Sequence, residues 1–224
     1  MLVLGLDTAL KSCSAALLSD GALLGERRLA LEKGHAEHLA PLVAALFEET
    51  GLGVADLDRV GVVIGPGAFA GVRVGLAFAR GLALGTGLKP IGVTSLAALA
   101  ASVDAPLAAA VIDARRGQVY AGLYEEGAAR LPPFVATPAD AAQRLIEAAG
   151  QARLTLVGDG AALLPPAPQF APSAAPTEID AKCVARLAAA APEPAAPPAP
   201  LYLRPPDAKP GAKSLFEGLF ETAP

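Results

Sequence analysis

Val60-Gly61-Val62-Val63-Ile64-Gly65-Pro66-Gly67-Ala68-Phe69-Ala70-Gly71-Val72-Arg73-Val74-Gly75 is the stretch from which the fold can be read. Its first residues form a short, apolar, β-branched run, the pattern of a buried strand. Gly65-Pro66-Gly67 breaks that run, because proline fixes φ and glycine reaches backbone angles other residues avoid. From Gly71 to about Thr86 the pattern is helical. A strand, a glycine loop and a helix form the layout of a phosphate-binding loop, whose amides converge on an anion. The same layout also lets a buried strand turn tightly into a buried helix. No Gly-Lys-Ser/Thr follows here, and Ala68 and Ala70 bring no hydroxyl, so the packing reading is preferred.

The flanking sequence repeats one plan twice. Leu2 to Leu6 reads as a buried strand ending on Asp7, followed by a strand from Ser12 to Leu18, a turn at Asp20-Gly21 and a strand from Ala22 to Leu29. A helix runs from Gly34 to Thr50, with Leu39, Leu42, Val43, Leu46 and Phe47 on one face and Pro41 inside it. After Ile91–Val93 and a short helix capped by Thr94-Ser95, Leu107 to Ile112 is again an apolar strand ending on an aspartate, Asp113. A strand from Gln118 to Tyr124, a short one around Arg130, a helix begun by Thr137-Pro138 and a strand from Leu154 to Val157 complete the second round. The two aspartates stand 106 positions apart. Two similar β-β-β-α-β halves predict an α/β protein of the actin-like ATPase (ASKHA) fold. The expected division is residues 1–102, residues 103–204 and a mobile tail, 205–224. Pro192 to Pro200 reads as extended linker, and Leu215, Phe216, Leu219 and Phe220 are material for one docking turn.

Composition narrows the function. The 224 residues suffice for a substantial core. A net charge of −4 argues against capture of nucleic acid by this chain alone, so an RNA connection has to run through a partner. Cys13 and Cys183 show neither CxxC nor zinc spacing and read as small core residues in a reducing compartment. Met1 to Asp7 lacks a basic leader, and no apolar run is long enough to cross a membrane.

Catalytic groups are few. Actin-like ATPases cradle phosphate in an Asp-Gly-Thr hairpin, whereas this hairpin reads Asp7-Thr8-Ala9-Leu10-Lys11-Ser12 and lacks the glycine. Asp113-Ala114-Arg115-Arg116-Gly117 lacks paired glycines as well, and Gly158-Asp159-Gly160 is only a trace of an adenosine-side loop. Asp7 and Asp113 are carboxylates able to hold Mg²⁺ or to cap turns. His35 and His38 are spaced i, i+3 rather than the i, i+4 of a zinc-protease helix, which leaves them as surface or interface residues. The helix after the glycine loop is apolar nearly all round, with Arg73, Ala77, Arg80 and Leu84 on its one charged side. Such a helix calls for burial on more than one side. With the helix before it, it is the predicted partner-binding surface, represented by His35, His38, Arg73, Val74, Ala77, Arg80, Gly81 and Leu84. No catalytic residue and no metal ligand are assigned.

Leu4-Gly-Leu-Asp-Thr-Ala9, Gly34-His35, Gly65-Pro-Gly-Ala-Phe-Ala-Gly-Val-Arg73, Gly92-Val-Thr-Ser-Leu96, Asp113-Ala-Arg-Arg-Gly117 through Tyr120 and Leu201-Tyr-Leu-Arg204 together resemble the TsaB (YeaZ) family over residues 1–204. The resemblance implies a cytoplasmic, non-catalytic subunit in threonylcarbamoyladenosine (t6A) modification of tRNA beside the anticodon. It implies a TsaD-like transferase carrying the metal and the active site, a TsaE-like ATPase, and tRNA reached through the complex. ATP or ADP and a metal ion then belong to the complex and not to this chain alone, which is expected to pair with itself when free. The family loop usually carries Ser and Thr where this chain has Ala68 and Ala70. An ATP-dependent kinase and a metalloprotease of the same superfamily stay open as alternatives. The absent hairpin glycine counts against the first and the histidine spacing against the second.

Overall fold

The structure is a computed structural model that describes residues 1–171 and 177–204. The expected tail, 205–224, with its four large apolar residues, lies outside the described residues.

The first half contributes β1 (Leu2–Asp7), β2 (Ser12–Ser19), β3 (Ala22–Ala30), β4 (Arg59–Val63) and β5 (Ile91–Val93), in the spatial order β3-β2-β1-β4-β5. The second contributes β6 (Leu107–Arg115), β7 (Gln118–Glu125), β8 (Ala128–Ala136), β9 (Leu154–Val157) and β10 (Phe170–Ala171). They lie in the same relative order, β8-β7-β6-β9-β10. In each sheet the first three strands pair antiparallel and the fourth and fifth join in parallel. This duplicated topology is the actin-like fold that the element pattern predicted. β8 is longer than the sequence suggested, because Pro132 and Pro133 sit in an edge strand, where a missing amide costs little.

Helices cover both faces of each sheet. α1 (His35–Thr50) lies on β2 and β3, and α2 (Phe69–Thr86) lies on β4 and β1. α3 (Ser95–Ala100), from the first half, packs on β6 and β7, and α4 (Pro138–Ala149) packs on β7 and β8. α5 (Ala181–Ala190) returns to the first sheet and packs on β1, β2 and β4. Each half thus lends a helix to the other's sheet. The approach of α5 is close because Gly5 and Gly61 face it. A Cβ on Gly5 would stand 2.2 Å from the Ala181 carbonyl oxygen, and one on Gly61 would stand 2.6 Å from the Ala188 Cβ. One buried cluster runs from Leu4, Leu46 and Val62 through Leu99 to Ile112 and Val157, which ties the halves through a shared core.

Strand periodicity corrects one detail of the repeat. Asp7 falls on the face of β1 that carries Gly5 and meets α5, whereas Asp113 shares its face with Ala109 and Val111, which belong to the cluster under α4. The two aspartates are therefore not structural equivalents, since even one residue of slip exchanges the faces.

Candidate functional site

The glycine loop is built for contact with the first hairpin. The Gly65–Pro66 peptide is cis, and Ala68 N–H donates to the Ala9 carbonyl at 2.7 Å. Thr8 Oγ1 donates to the Gly71 carbonyl at 2.8 Å. A Cβ at Gly67 would lie 2.4 Å from the Ala9 oxygen, and one at Gly71 would lie 2.0 Å from the Thr8 oxygen. The glycines let backbone meet backbone, and the loop amide that an anion would use is already spent. Gly158 and Gly160 do the same against β6, where their Cβ atoms would stand 2.2 Å from the Val111 oxygen and 2.7 Å from the Ile112 carbonyl carbon.

A cleft of about 520 Å³ opens between the halves, walled by Ala9, Lys11, Lys33, Asp113, Arg115 and Tyr120 among others. Two of its carboxylates, Asp113 and Asp159, are engaged. Asp113 accepts the Arg115 N–H at 2.7 Å and pairs with the Arg115 guanidinium at 3.0 Å, while Asp159 accepts the Asp113 N–H at 3.0 Å. Asp7 is wholly buried beneath the hairpin. Its Oδ1 accepts the Ala9 N–H at 2.9 Å, and Ser12 Oγ lies 3.5 Å from Oδ2. Burial pushes its pKa up to about 7, against the opposing effect of the Ala9 N–H, Arg28 and Ser12. Burial likewise pushes the Cys13 and Cys183 thiols up to about 11, which makes them poor nucleophiles. Among the described residues no three His, Cys, Asp or Glu side chains are grouped to hold a metal ion, and no helix is long and apolar enough to cross a membrane.

The second feature is the outer face of α2. Arg73, Ala77, Arg80, Gly81 and Leu84 are exposed and form one stripe, with Leu84 91% exposed and Val74 half-buried behind them. α1 packs beside α2 and presents His38 at its N-terminal end. His35 departs from the expectation of a surface or interface residue: it is 8% exposed and its Nε2 has no hydrogen-bond partner among the described residues. The first helical residue points inward because Gly34, at φ 86°, turns the chain there.

Residues 192–204 run along α2, so Pro192 to Pro200, expected as an extended linker, are held against the fold. Glu193 pairs with Lys89 at 2.7 Å, Arg80 donates to the Pro198 carbonyl at 2.8 Å, and Leu201 N–H donates to Ile64 O at 2.8 Å. Tyr202 stacks on Phe69 with centroids 4.9 Å apart. Arg73 lies 3.7 Å over the Phe69 ring and donates to the Tyr202 hydroxyl at 3.0 Å. Finally Arg204 reaches across to Gln118 of the second half. Phe69, Pro198 and Tyr202 therefore belong to this face, and an aromatic residue closing the proline-rich stretch was the available clue. Arg73 and Arg80 are oriented by this strap and do not extend freely from the helix.

Comparison with known proteins gives the geometry a context. Residues 29–215 match the family model described as "TsaD: tRNA N6-adenosine threonylcarbamoyltransferase". A crystal structure from Pseudomonas aeruginosa, described as an uncharacterized protein with similarity to peptidase YeaZ, superposes with a TM-score of 0.78 at 31% identity. That match covers 91% of this chain and 99% of the other. The chain belongs to the TsaB (YeaZ) family. YeaZ from Pseudomonas aeruginosa superposes at TM-score 0.72 and 30% identity over 84% of this TsaB-family chain and 90% of that one. The Escherichia coli tRNA threonylcarbamoyladenosine biosynthesis protein TsaB is 36% identical over 129 residues, which is 56% of this chain and 55% of that protein. The matched region thus spans about half the length of the curated TsaB relatives.

Proposed function

We propose that this chain is the non-catalytic partner of a TsaD-like threonylcarbamoyl transferase in t6A modification of tRNA. The observation that carries this reading is that the phosphate-loop layout is consumed by the chain's own backbone. Ala68 N–H is bonded to Ala9 O, and the Gly67 and Gly71 backbone lies against Ala9 and Thr8. Asp7, the carboxylate that a nucleotide-bound metal would use, is buried, and burial raises its pKa to about 7. In this reading the setting is a cytoplasmic complex with a TsaD-like transferase and a TsaE-like ATPase, in which ATP or ADP and a metal ion belong to the assembly and tRNA is reached through it.

The partner surface in this reading is the face of α1 and α2, with Ala77, Gly81 and Leu84 at its centre. Val74 backs that centre, and His38 marks the α1 end, whereas His35 is interior and drops out of the surface. Arg73 and Arg80, fixed by the strap, lie toward the rim, where charge orients a partner more than it binds it. Two helix faces can supply the ~800 Å² per partner of an ordinary interface. A transferase of related fold presents a comparable helix pair, and a second copy of this chain is a substitute for it.

Reconstitution tests the reading. Purified transferase, ATPase and tRNA should form the modified nucleoside only when this chain is added, and this chain with tRNA alone should form none. Undiminished modification without the chain, or phosphoryl transfer by the chain by itself, overturns it. The metalloprotease alternative finds no support in the histidines, since His35 is interior and His38 exposed.

A further inference from the structure

α2 carries two arginines and no acidic residue over its eighteen positions. Arg73 and Arg80 stand seven residues apart, which puts them on one side of the helix and about 10 Å apart along its axis. The strap orders both side chains with neutral groups. Arg73 lies 3.7 Å over the Phe69 ring and gives its Nε–H to the Tyr202 hydroxyl at 3.0 Å, while Arg80 gives an Nη2–H to the Pro198 carbonyl at 2.8 Å. Neither arginine has an ion pair among the described residues, in contrast to Arg27, Arg28, Arg115 and Arg130. A guanidinium carries five N–H groups, so both keep donors to spare. The strap has anchors of its own. Leu201 N–H is bonded to Ile64 O, Arg204 reaches Gln118, and Pro198 packs on Gly92 so closely that a Cβ there would meet the Pro198 Cβ at 3.0 Å.

We propose that Arg73 and Arg80 read two carboxylates of the transferase, about two helical turns apart, and that Tyr202 is the residue that positions Arg73 for this contact. The inference rests on the partner surface proposed above and names its chemistry. An arginine side chain gives up rotamer freedom when a partner captures it, and the strap has already fixed both guanidinium groups. Ordering by a hydroxyl, a carbonyl and a ring leaves both positive charges in place, where a carboxylate in the same position would have cancelled them. The planar guanidinium fork matches a carboxylate through two parallel, charge-assisted N–H···O bonds. Leu84 follows Arg80 by one turn, so the charges lie in line with the apolar contact and set its register. A second copy of this chain offers the same α2, without an acidic residue, and does not supply the match through that helix.

The test measures the affinity and association rate of the full chain for the purified transferase at low and at high salt, with thermal midpoints as the check on folding. Arg73→Glu combined with Arg80→Glu should weaken binding about ten-fold or more at low salt, chiefly through slower association, and the difference should shrink at high salt. Tyr202→Phe keeps the ring on Phe69 and removes only the hydroxyl; it should weaken binding about three- to ten-fold. The same substitution should change nothing in a chain that already carries Arg73→Ala, since the hydroxyl acts through that guanidinium. Affinity and salt dependence unchanged by the reversed charges overturn the proposal. So does a Tyr202→Phe effect that is equal in the two backgrounds, zero included, which is the mark of a merely structural strap. If Leu84→Glu abolishes the complex while the reversed arginines bind as the parent does, this proposal alone falls. A parent chain without affinity for the transferase removes the partner reading and this proposal together.

Discussion

Asp7→Asn should change how stability depends on pH. The Asp7 carboxyl is wholly buried and its pKa is raised from 3.8 to about 7. A raised carboxylate pKa means that folding disfavours the charged form. Below pH 3.8 folded and unfolded chains both hold the proton, and Asp7 costs nothing. Between 3.8 and about 7 only the unfolded chain loses it, so stability falls as pH rises. Above 7 both are ionised and the cost is constant. Three pK units correspond to about 4 kcal/mol in total, of which about 3 kcal/mol accrues between pH 4.5 and 7.5. Arg28 offsets part of the cost and Glu178 adds to it; both are common to the two proteins. Asn keeps an oxygen for the Ala9 N–H and cannot ionise. Urea unfolding of both proteins at half-unit steps from pH 4.5 to 7.5 gives the difference directly, with every other titrating group cancelling. The variant should gain about 3 kcal/mol relative to the parent across that window. Parallel curves would show that folding does not raise the Asp7 pKa, and the description of Asp7 as a carboxyl desolvated beneath the hairpin would be wrong.

Gly71→Ala should destabilise the chain by about 1–3 kcal/mol or more, since its Cβ meets the Thr8 carbonyl and backbone yields little; a thermal or urea midpoint equal to the parent's contradicts the packing role. Gly81→Ala on the same helix, where a Cβ meets nothing, should stabilise the isolated chain by about 0.5–1 kcal/mol. Calorimetry of the isolated chain with Mg·ATP should show weak binding or none, and micromolar affinity that disappears in Asp7→Ala would favour the kinase.

Much of this fold was legible because each strand and helix carries its own period. The alternation and the turn residues placed β1 to β3 and β6 to β8. α2 was legible to the level of its exposed stripe: Arg73, Ala77, Arg80 and Leu84 were grouped by helical angle and are all exposed. Contacts between segments distant in sequence were not legible. That α5 crosses to the first sheet depends on Gly5 and Gly61 facing Ala181 and Ala188, and a glycine in a strand does not announce its partner. The strap was read as linker because proline-rich sequence lacks periodicity, although its backbone and ring contacts pin it to α2. His35 looked like a surface residue because polar type and helix-end position are the only cues in sequence, and its burial is set by the turn at Gly34.

The most direct test of the partner reading is Leu84→Glu. Leu84 is 91% exposed, so the substitution should leave the isolated chain's stability within about 0.5 kcal/mol. At the centre of an interface the same charge should cost about 2–4 kcal/mol, roughly thirty- to several-hundred-fold in affinity. Size-exclusion chromatography with the purified transferase, followed by measurement of t6A in tRNA from the reconstituted reaction, reads both consequences. The account predicts a folded variant that no longer co-elutes with the transferase and supports little modification. A folded variant that co-elutes and supports modification at the parent level contradicts it.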